Sequence, residues 1–121
     1  MTTDIAKEFR KGQDLRENGD YEGALKIFQE IASSVGTTVA LDCVIGFCHR
    51  NLGEYDLALK HFTRAVELAP RAPAASLGLF HTLLEAEMES QALAEARRFK
   101  ELTGSQEFAE ILSAFEANDD R

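Results

Sequence analysis

Gly19-Asp-Tyr-Glu-Gly-Ala-Leu-Lys-Ile-Phe28 and Gly53-Glu-Tyr-Asp-Leu-Ala-Leu-Lys-His-Phe62 are two versions of one phrase, 34 residues apart. Gly, Tyr, Ala, Leu, Lys and Phe coincide in register, and the same shift carries Gly12 onto Gly46. One period further on, Ala24 and Ala58 meet Ala92 and Leu25 and Leu59 meet Leu93, but Glu87 and Glu89 stand where the first two copies have Gly and Tyr. A fixed period of this length marks a stacked-repeat architecture, in which each unit buries its apolar face only against its neighbours.

Each period reads as two helices. Leu57, Ala58, Phe62, Ala65 and Val66 follow the i, i+4, i+8 spacing of one helical face, and the alternation that strands require is absent. Asn18-Gly19 and Leu52-Gly53 punctuate the middle of a pair, while Gly36, Pro70 and Gly104 fall at the joints between periods. The spacing predicts helices near 3–17, 20–33, 37–51, 54–68, 73–86 and 89–102. A seventh follows over 105–117, with Ser105 as its N-cap and Phe108, Ile111, Leu112 and Phe115 as its single apolar stripe.

These residues resemble the tetratricopeptide repeat family, whose pattern has a small residue in helix A, Gly-x-Tyr-x-x-Ala across the turn into helix B, then Phe, Ala and a closing Pro. The second repeat carries Gly46, Gly53, Tyr55, Ala58, Phe62, Ala65 and Pro70. The first carries Gly12, Gly19, Tyr21, Ala24 and Phe28, with Ile31 and Gly36 in place of the usual Ala and Pro; the third departs most, with Phe80 at the small position. The resemblance implies an all-α, right-handed superhelical solenoid. It forms a single domain over 1–121, with repeats at about 5–38, 39–72 and 73–104 and a solvating capping helix at about 105–117.

Gly12 and Gly46 are expected to let helix A approach helix B where Ala24 or Ala58 has only a methyl. Tyr21, Tyr55, Phe28 and Phe62 then fill the space between repeats. One face of helix A gives the columns Lys7, Leu41, Ala75; Lys11, Ile45, Leu79; Asp14, Cys48, Thr82; and Asn18, Leu52, Ala86. It is polar in the first repeat and apolar in the second, so the array is expected to begin with the first repeat and end with the seventh helix.

A neighbouring stripe of helix A gives the columns Phe9, Cys43, Leu77; Gln13, Phe47, His81; Arg16, Arg50, Leu84; and Glu17, Asn51, Glu85. The resemblance implies that this stripe lines a peptide-binding groove. Its expected floor is Phe9, Phe47 and Leu77 with Cys43 and the small Ala40 and Ala74 between them, and its rim carries Arg16, Arg50, Asn51 and His81. Such a surface suits the apolar side of a helix or an extended peptide. Phe9 and Phe47 also have a second reading, as residues that complete the core or touch the C-terminal helix. Co-chaperone members of the family clamp the C-terminal carboxylate of heat-shock proteins with Lys, Asn and Arg. The corresponding positions here are Phe9, Gln13, Val44, Ala74 and Gly78, so docking by that clamp is not expected.

No Gly-rich phosphate loop, His-Glu-x-x-His or Cys-x-x-Cys occurs, so neither catalysis, a cofactor nor a metal is expected. Cys43 and Cys48 lie roughly 140° apart around one helix. Cys48 reads as a buried inert thiol, His49 as a packing residue and His61 as a helix B surface residue. His81 with Glu85 offers a metal only two ligands.

The net charge of −8 disfavours nucleic acid and anionic membrane as partners. Residues 85–120 hold ten acids against Arg97, Arg98 and Lys100, a surface that either keeps the protein soluble or steers a basic partner there. Glu87, Glu89, Asp119 and Asp120 read as solvated charge. The longest charge-free apolar stretch, Ala72 to Leu84, is too short to span a bilayer, and the start lacks an apolar export segment, so a cytoplasmic protein is expected. Two functions remain. One is an adaptor or chaperone-like module for a segment of another protein, similar in size to the small three-repeat chaperones of bacterial secretion systems. The other is a scaffold that self-associates, for instance as a homodimer, through an exposed apolar patch.

Overall fold

The computed structural model describes residues 4–119. Its helices are α1 (Ile5–Glu17), α2 (Tyr21–Val35), α3 (Val39–Asn51), α4 (Tyr55–Leu68), α5 (Pro73–Glu85), α6 (Glu89–Thr103) and α7 (Gln106–Asp119), and no strand occurs among the described residues. The expectations placed on Thr3 and Asp120 lie outside the described residues, as does the side chain of Asp119. Each helix packs on the next, and α3 also reaches α5, so the helices stack as an α-solenoid.

Local chemistry sets the helix ends. Asp4, Asp20, Thr38 and Ser105 each accept from the backbone N–H three residues on, at 3.1, 2.9, 3.1 and 3.3 Å, which satisfies donors that the first turn leaves free. Pro73 opens α5, where its missing N–H costs nothing. The turns between paired helices use a left-handed residue: Gly19 at φ 84°, Gly53 at φ 78° and, in the third pair, Glu87 at φ 62°. Glu87 thus adopts the backbone conformation that glycine holds in the other two pairs, at a strain of about 1 kcal/mol.

The atoms that most closely face the glycines of helix A belong to the large rings of helix B. A Cβ on Gly12 would sit 2.7 Å from the Phe28 ring, and one on Gly46 would sit 3.0 Å from the Phe62 ring. Gly78 presses on the other side of Phe62, so this ring is held between α3 and α5. In the third pair the sizes exchange. Phe80 takes the column of Gly12 and Gly46, and Ala96 that of Phe28 and Phe62; both are buried. The large ring has changed helices at similar total volume. From α5, Phe80 stands edge-on to Phe108 of α7 at 5.6 Å and to Phe115 at 6.4 Å, which seats the seventh helix. Leu57 departs from the expected apolar face of α4 and is exposed.

The helix A columns behave as their composition dictates. Lys7, Lys11, Asp14 and Asn18 are exposed, whereas Leu41, Ile45 and Cys48 are buried, as are Ala75, Leu79 and Thr82 one period on. Burial pushes the Cys48 thiol up to about 11, so it is an inert packing group.

His61 is not a surface residue. It lies half-buried over Asp42, a carboxylate at 0% exposure, and its Nδ1 donates to Asp42 Oδ1 at 3.0 Å. Arg64 donates from Nη2 to Oδ1 at 2.7 Å and from Nε to Oδ2 at 3.0 Å, a two-pronged grip from α4 onto α3. The His49 ring stacks on His61 at 5.6 Å and bonds Glu54 at 3.0 Å. In the third pair the same columns hold Ser76, Glu95 and Arg98. The carboxylate has moved to helix B, Arg98 still grips it at 2.7 Å, and Ser76 donates to it at 2.8 Å.

Burial lowers the pKa of His61 below its ordinary 6.5, against the opposing pull of Asp42. The fold therefore favours the neutral ring. The stability gained is present above 6.5 and is lost as pH falls through the lower folded value. Melting temperature should drop as pH is lowered from 7.5 into this range, and His61→Gln should flatten that part of the profile. Parallel profiles for the two proteins would show that another group controls it.

Candidate functional site

Arg16, Phe47 and Arg50 converge on the A-helix face. Arg16 rises from the last turn of α1, and Phe47 and Arg50 lie on adjacent turns of α3. The guanidinium carbons stand 4.9 Å (Arg16) and 5.2 Å (Arg50) from the Phe47 ring centre, within cation–π range. Tyr21 of α2 approaches the same ring at 6.1 Å. Beside this clasp is a cavity of about 380 Å³, floored by Cys43, Phe62, Ala74 and Leu77 and bordered by Arg16, Arg50 and His81. Its volume lies in the range of small ligand sites.

The glycines explain the opening. Gly46 and Gly78 have no side chain to cover Phe62, so this buried ring forms part of the floor. Cys43 is half-buried there, its thiol pKa raised by burial and by the adjacent Asp42 charge, which leaves it a weak nucleophile.

The stripe read from the sequence is divided between two cavities. Arg16, Cys43, Phe47, Arg50, Leu77 and His81 border the one just described. Phe9 and Gln13 border a second, of about 560 Å³, with Ile5, Ile31, Val35, Ala40 and Leu41. Phe9 packs on Phe28 at 5.3 Å. Gln13 links the two, because its Oε1 accepts from Arg16 Nε at 2.9 Å. Leu84 borders neither and packs partly buried against the core of the third pair, while Asn51 is exposed and donates to the Phe47 carbonyl at 2.9 Å. Phe62, Gly78 and Val44 also border the Phe47 cavity; the sequence reading has Val44 and Gly78 only as clamp positions without a cation and Phe62 only as packing between repeats. Gly78 carried a usable signal, being the single glycine of α5, a helix A whose small position is filled by Phe80.

Among the described residues no three His, Cys, Asp or Glu side chains come together to hold a metal, and no helix is long and apolar enough to cross a membrane. Residues 43–71, which include Phe47 and Arg50 of the clasp and the second Gly-x-Tyr-x-x-Ala phrase, match the tetratricopeptide repeat model. The fold is that of the tetratricopeptide repeats. Solved structures repeat it along nearly the whole chain. The type III secretion translocator chaperone SycD of Yersinia enterocolitica, in complex with a peptide of the translocator YopD, superposes with a TM-score of 0.84 at 18% identity, covering 98% of each chain. PcrH in complex with the chaperone binding region of PopD gives 0.83 at 18% identity, covering 96% of this chain and 93% of that one. The first such domain of Spaghetti, bound to an HSP90 peptide, gives 0.81 at 15% identity over 97% and 94% of the two chains. No curated protein sequence matches this chain.

Proposed function

We propose that this chain is a non-catalytic interaction module of the cytoplasm, an adaptor or chaperone-like protein that takes a peptide or helix segment of a partner into its A-helix groove. The observation that carries the reading is the Phe47 clasp beside an apolar-floored cavity. An aromatic anchor next to a hollow with few polar groups is the usual form of a segment-binding site. The solved relatives support it: SycD, PcrH and Spaghetti are each seen holding a peptide or binding region of a partner protein. The groove has no cation at Phe9, Gln13, Val44, Ala74 or Gly78, so it takes its segment without the heat-shock carboxylate clamp. We assign repeats 5–38, 39–72 and 73–104 and a cap at 105–117 to one domain, with no cofactor and no nucleic acid or membrane as partner.

The test is Phe47→Ala in a pull-down from the source organism, with melting followed in parallel. Binding should weaken by about 2 kcal/mol, the scale of an aromatic hot spot. Melting should fall less than the roughly 10 °C or more expected for a fully buried Phe. A larger fall makes Phe47 a core residue. Normal melting with unchanged capture moves the site elsewhere, first to the acidic surface of residues 85–118.

Self-association is the second reading, favoured by Leu68 and Leu102, which stand one period apart and are both exposed, at 56% and 38%. A dimer mass in gel filtration with light scattering, returned to the monomer mass by Leu68→Ser, would establish it.

A further inference from the structure

We propose that the segment taken into the Phe47 cavity carries an Asp or Glu side chain beside its apolar anchor, and that Arg16 and Arg50 read this carboxylate. This rests on the groove reading above and adds the chemistry that the groove selects.

Charge is the first observation. The chain is strongly acidic, at −8, yet the ionic and imidazole groups that border this cavity are Arg16, Arg50 and His81, all bases, beside the half-buried Cys43 thiol, which burial keeps protonated. The carboxylate nearest to them is on Glu85, which is about half exposed and touches Arg50 through a single Nε–Oε2 contact of 3.6 Å. Arg16 forms no ion pair among the described residues and gives its Nε to the neutral Gln13 amide.

Orientation is the second. Both guanidiniums rest on the Phe47 ring, so they are held at the cavity mouth and do not range through solvent. A stacked guanidinium keeps its N–H edge available, and that edge fits a carboxylate through two parallel hydrogen bonds. Because the arginines are already positioned, less side-chain entropy is lost on binding. A neutral apolar segment would cover these charges without pairing them, and a basic one would be repelled.

Position is the third. Gln13 lines the Phe9 cavity and bonds Arg16, which lines the Phe47 cavity, so Arg16 lies where the two apolar hollows meet, with Arg50 beside it on the Phe47 ring. A segment spanning both hollows passes Arg16 between its two ends. The carboxylate therefore comes from a side chain and not from a chain terminus.

The test is selection of random 12-residue peptides displayed on phage through their C-termini. The full chain and its Arg16→Gln/Arg50→Gln variant are used as bait in parallel. A selected peptide and its Glu→Gln or Asp→Asn copy are then compared by fluorescence anisotropy at 50 and 300 mM NaCl. The parent should enrich Asp or Glu within about four residues, roughly one helical turn, of an apolar residue. Neutralising the acid should weaken binding roughly 5-fold at low salt, with less difference at high salt. The double variant should enrich apolar peptides without the acid.

Apolar peptides without acidic enrichment on the parent, equal binding of the two peptide copies, or an acid preference that survives in the double variant would each overturn the inference and leave the groove standing. The comparison of peptide copies uses the parent protein alone, so it decides the matter even if the variant fails to fold. A peptide that binds equally to a folded Phe47→Ala protein, or no enrichment at all, would overturn the groove reading and this inference with it. Tight binding only by synthetic peptides with a free terminal carboxylate, lost on amidation, would assign the arginines to chain ends and refute the side-chain assignment.

Discussion

Arg64→Ala should lower the stability of this protein by about 3 to 5 kcal/mol, the cost of leaving a buried charge without its partner. Asp42 is at 0% exposure, whereas the Arg64 side chain is 40% exposed, so the two halves of the pair differ in what their loss leaves behind. Without Arg64, the carboxylate stays inside with one imidazole for company, and burial already biases that imidazole toward its neutral form. Without Asp42, the guanidinium can swing into water. Asp42→Ala should therefore cost less than Arg64→Ala, and the double variant should melt above Arg64→Ala alone. Arg64→Lys should recover only part of the loss, because an ammonium cannot reproduce the two-pronged grip on Oδ1 and Oδ2. Urea unfolding of the four variants checks the order. An Arg64→Ala protein as stable as its parent, or a double variant less stable than either single one, would show that this network does not hold α3 to α4.

The network also shows where reading the sequence stops. Asp42 in the first turn of a helix is ordinary helix-end chemistry, since an acid there faces the positive end of the dipole. Nothing about the residue alone says that α4 will cover it. The signal was in the columns: Arg64 and Arg98 are one period apart, and an acid accompanies each, on helix A in one pair and on helix B in the other. A compensated swap of this kind is visible only when both helices of a repeat are compared together. The exchange of Gly46 and Phe62 for Phe80 and Ala96 is the same lesson in volume. The turns and joints were legible because Gly, Pro and the capping residues act locally, and all seven helices lie within two residues of the expected bounds. The groove was legible as a stripe but not as two cavities. That division depends on side-chain packing such as the Phe62 ring, which reaches between α3 and α5 into the floor of one cavity only, and periodicity does not encode it.

Leu41→Asp and Lys7→Asp place the same charge in the same helix A column, one period apart, and should give opposite results. Leu41 is 3% exposed and belongs to the cluster of Ala24, Phe28, Ile31, Ile45 and Cys48, which joins the first pair of helices to the second. An aspartate there loses the apolar contacts of Leu41 and sits between repeats, where Arg10 borders the same cavity but is itself exposed. It also lies next to Asp42, whose own charge is already committed to Arg64 and His61. The cost should be about 3 kcal/mol or more, from the desolvated charge together with the lost packing. Lys7 is exposed on the outer face of α1. Reversing its charge removes no contact with the core, and an acid in the first turn of a helix suits the dipole. The change should stay within about 0.5 kcal/mol, as for other surface substitutions. In a solenoid each repeat is stabilised mainly by its neighbours, so a charge at the joint between the first two should loosen α1 and α2 first. Hydrogen exchange on Leu41→Asp should therefore show α1 and α2 losing protection before α5 and α6. Equal melting of the two variants would mean that the first helix pair does not depend on the Leu41 joint.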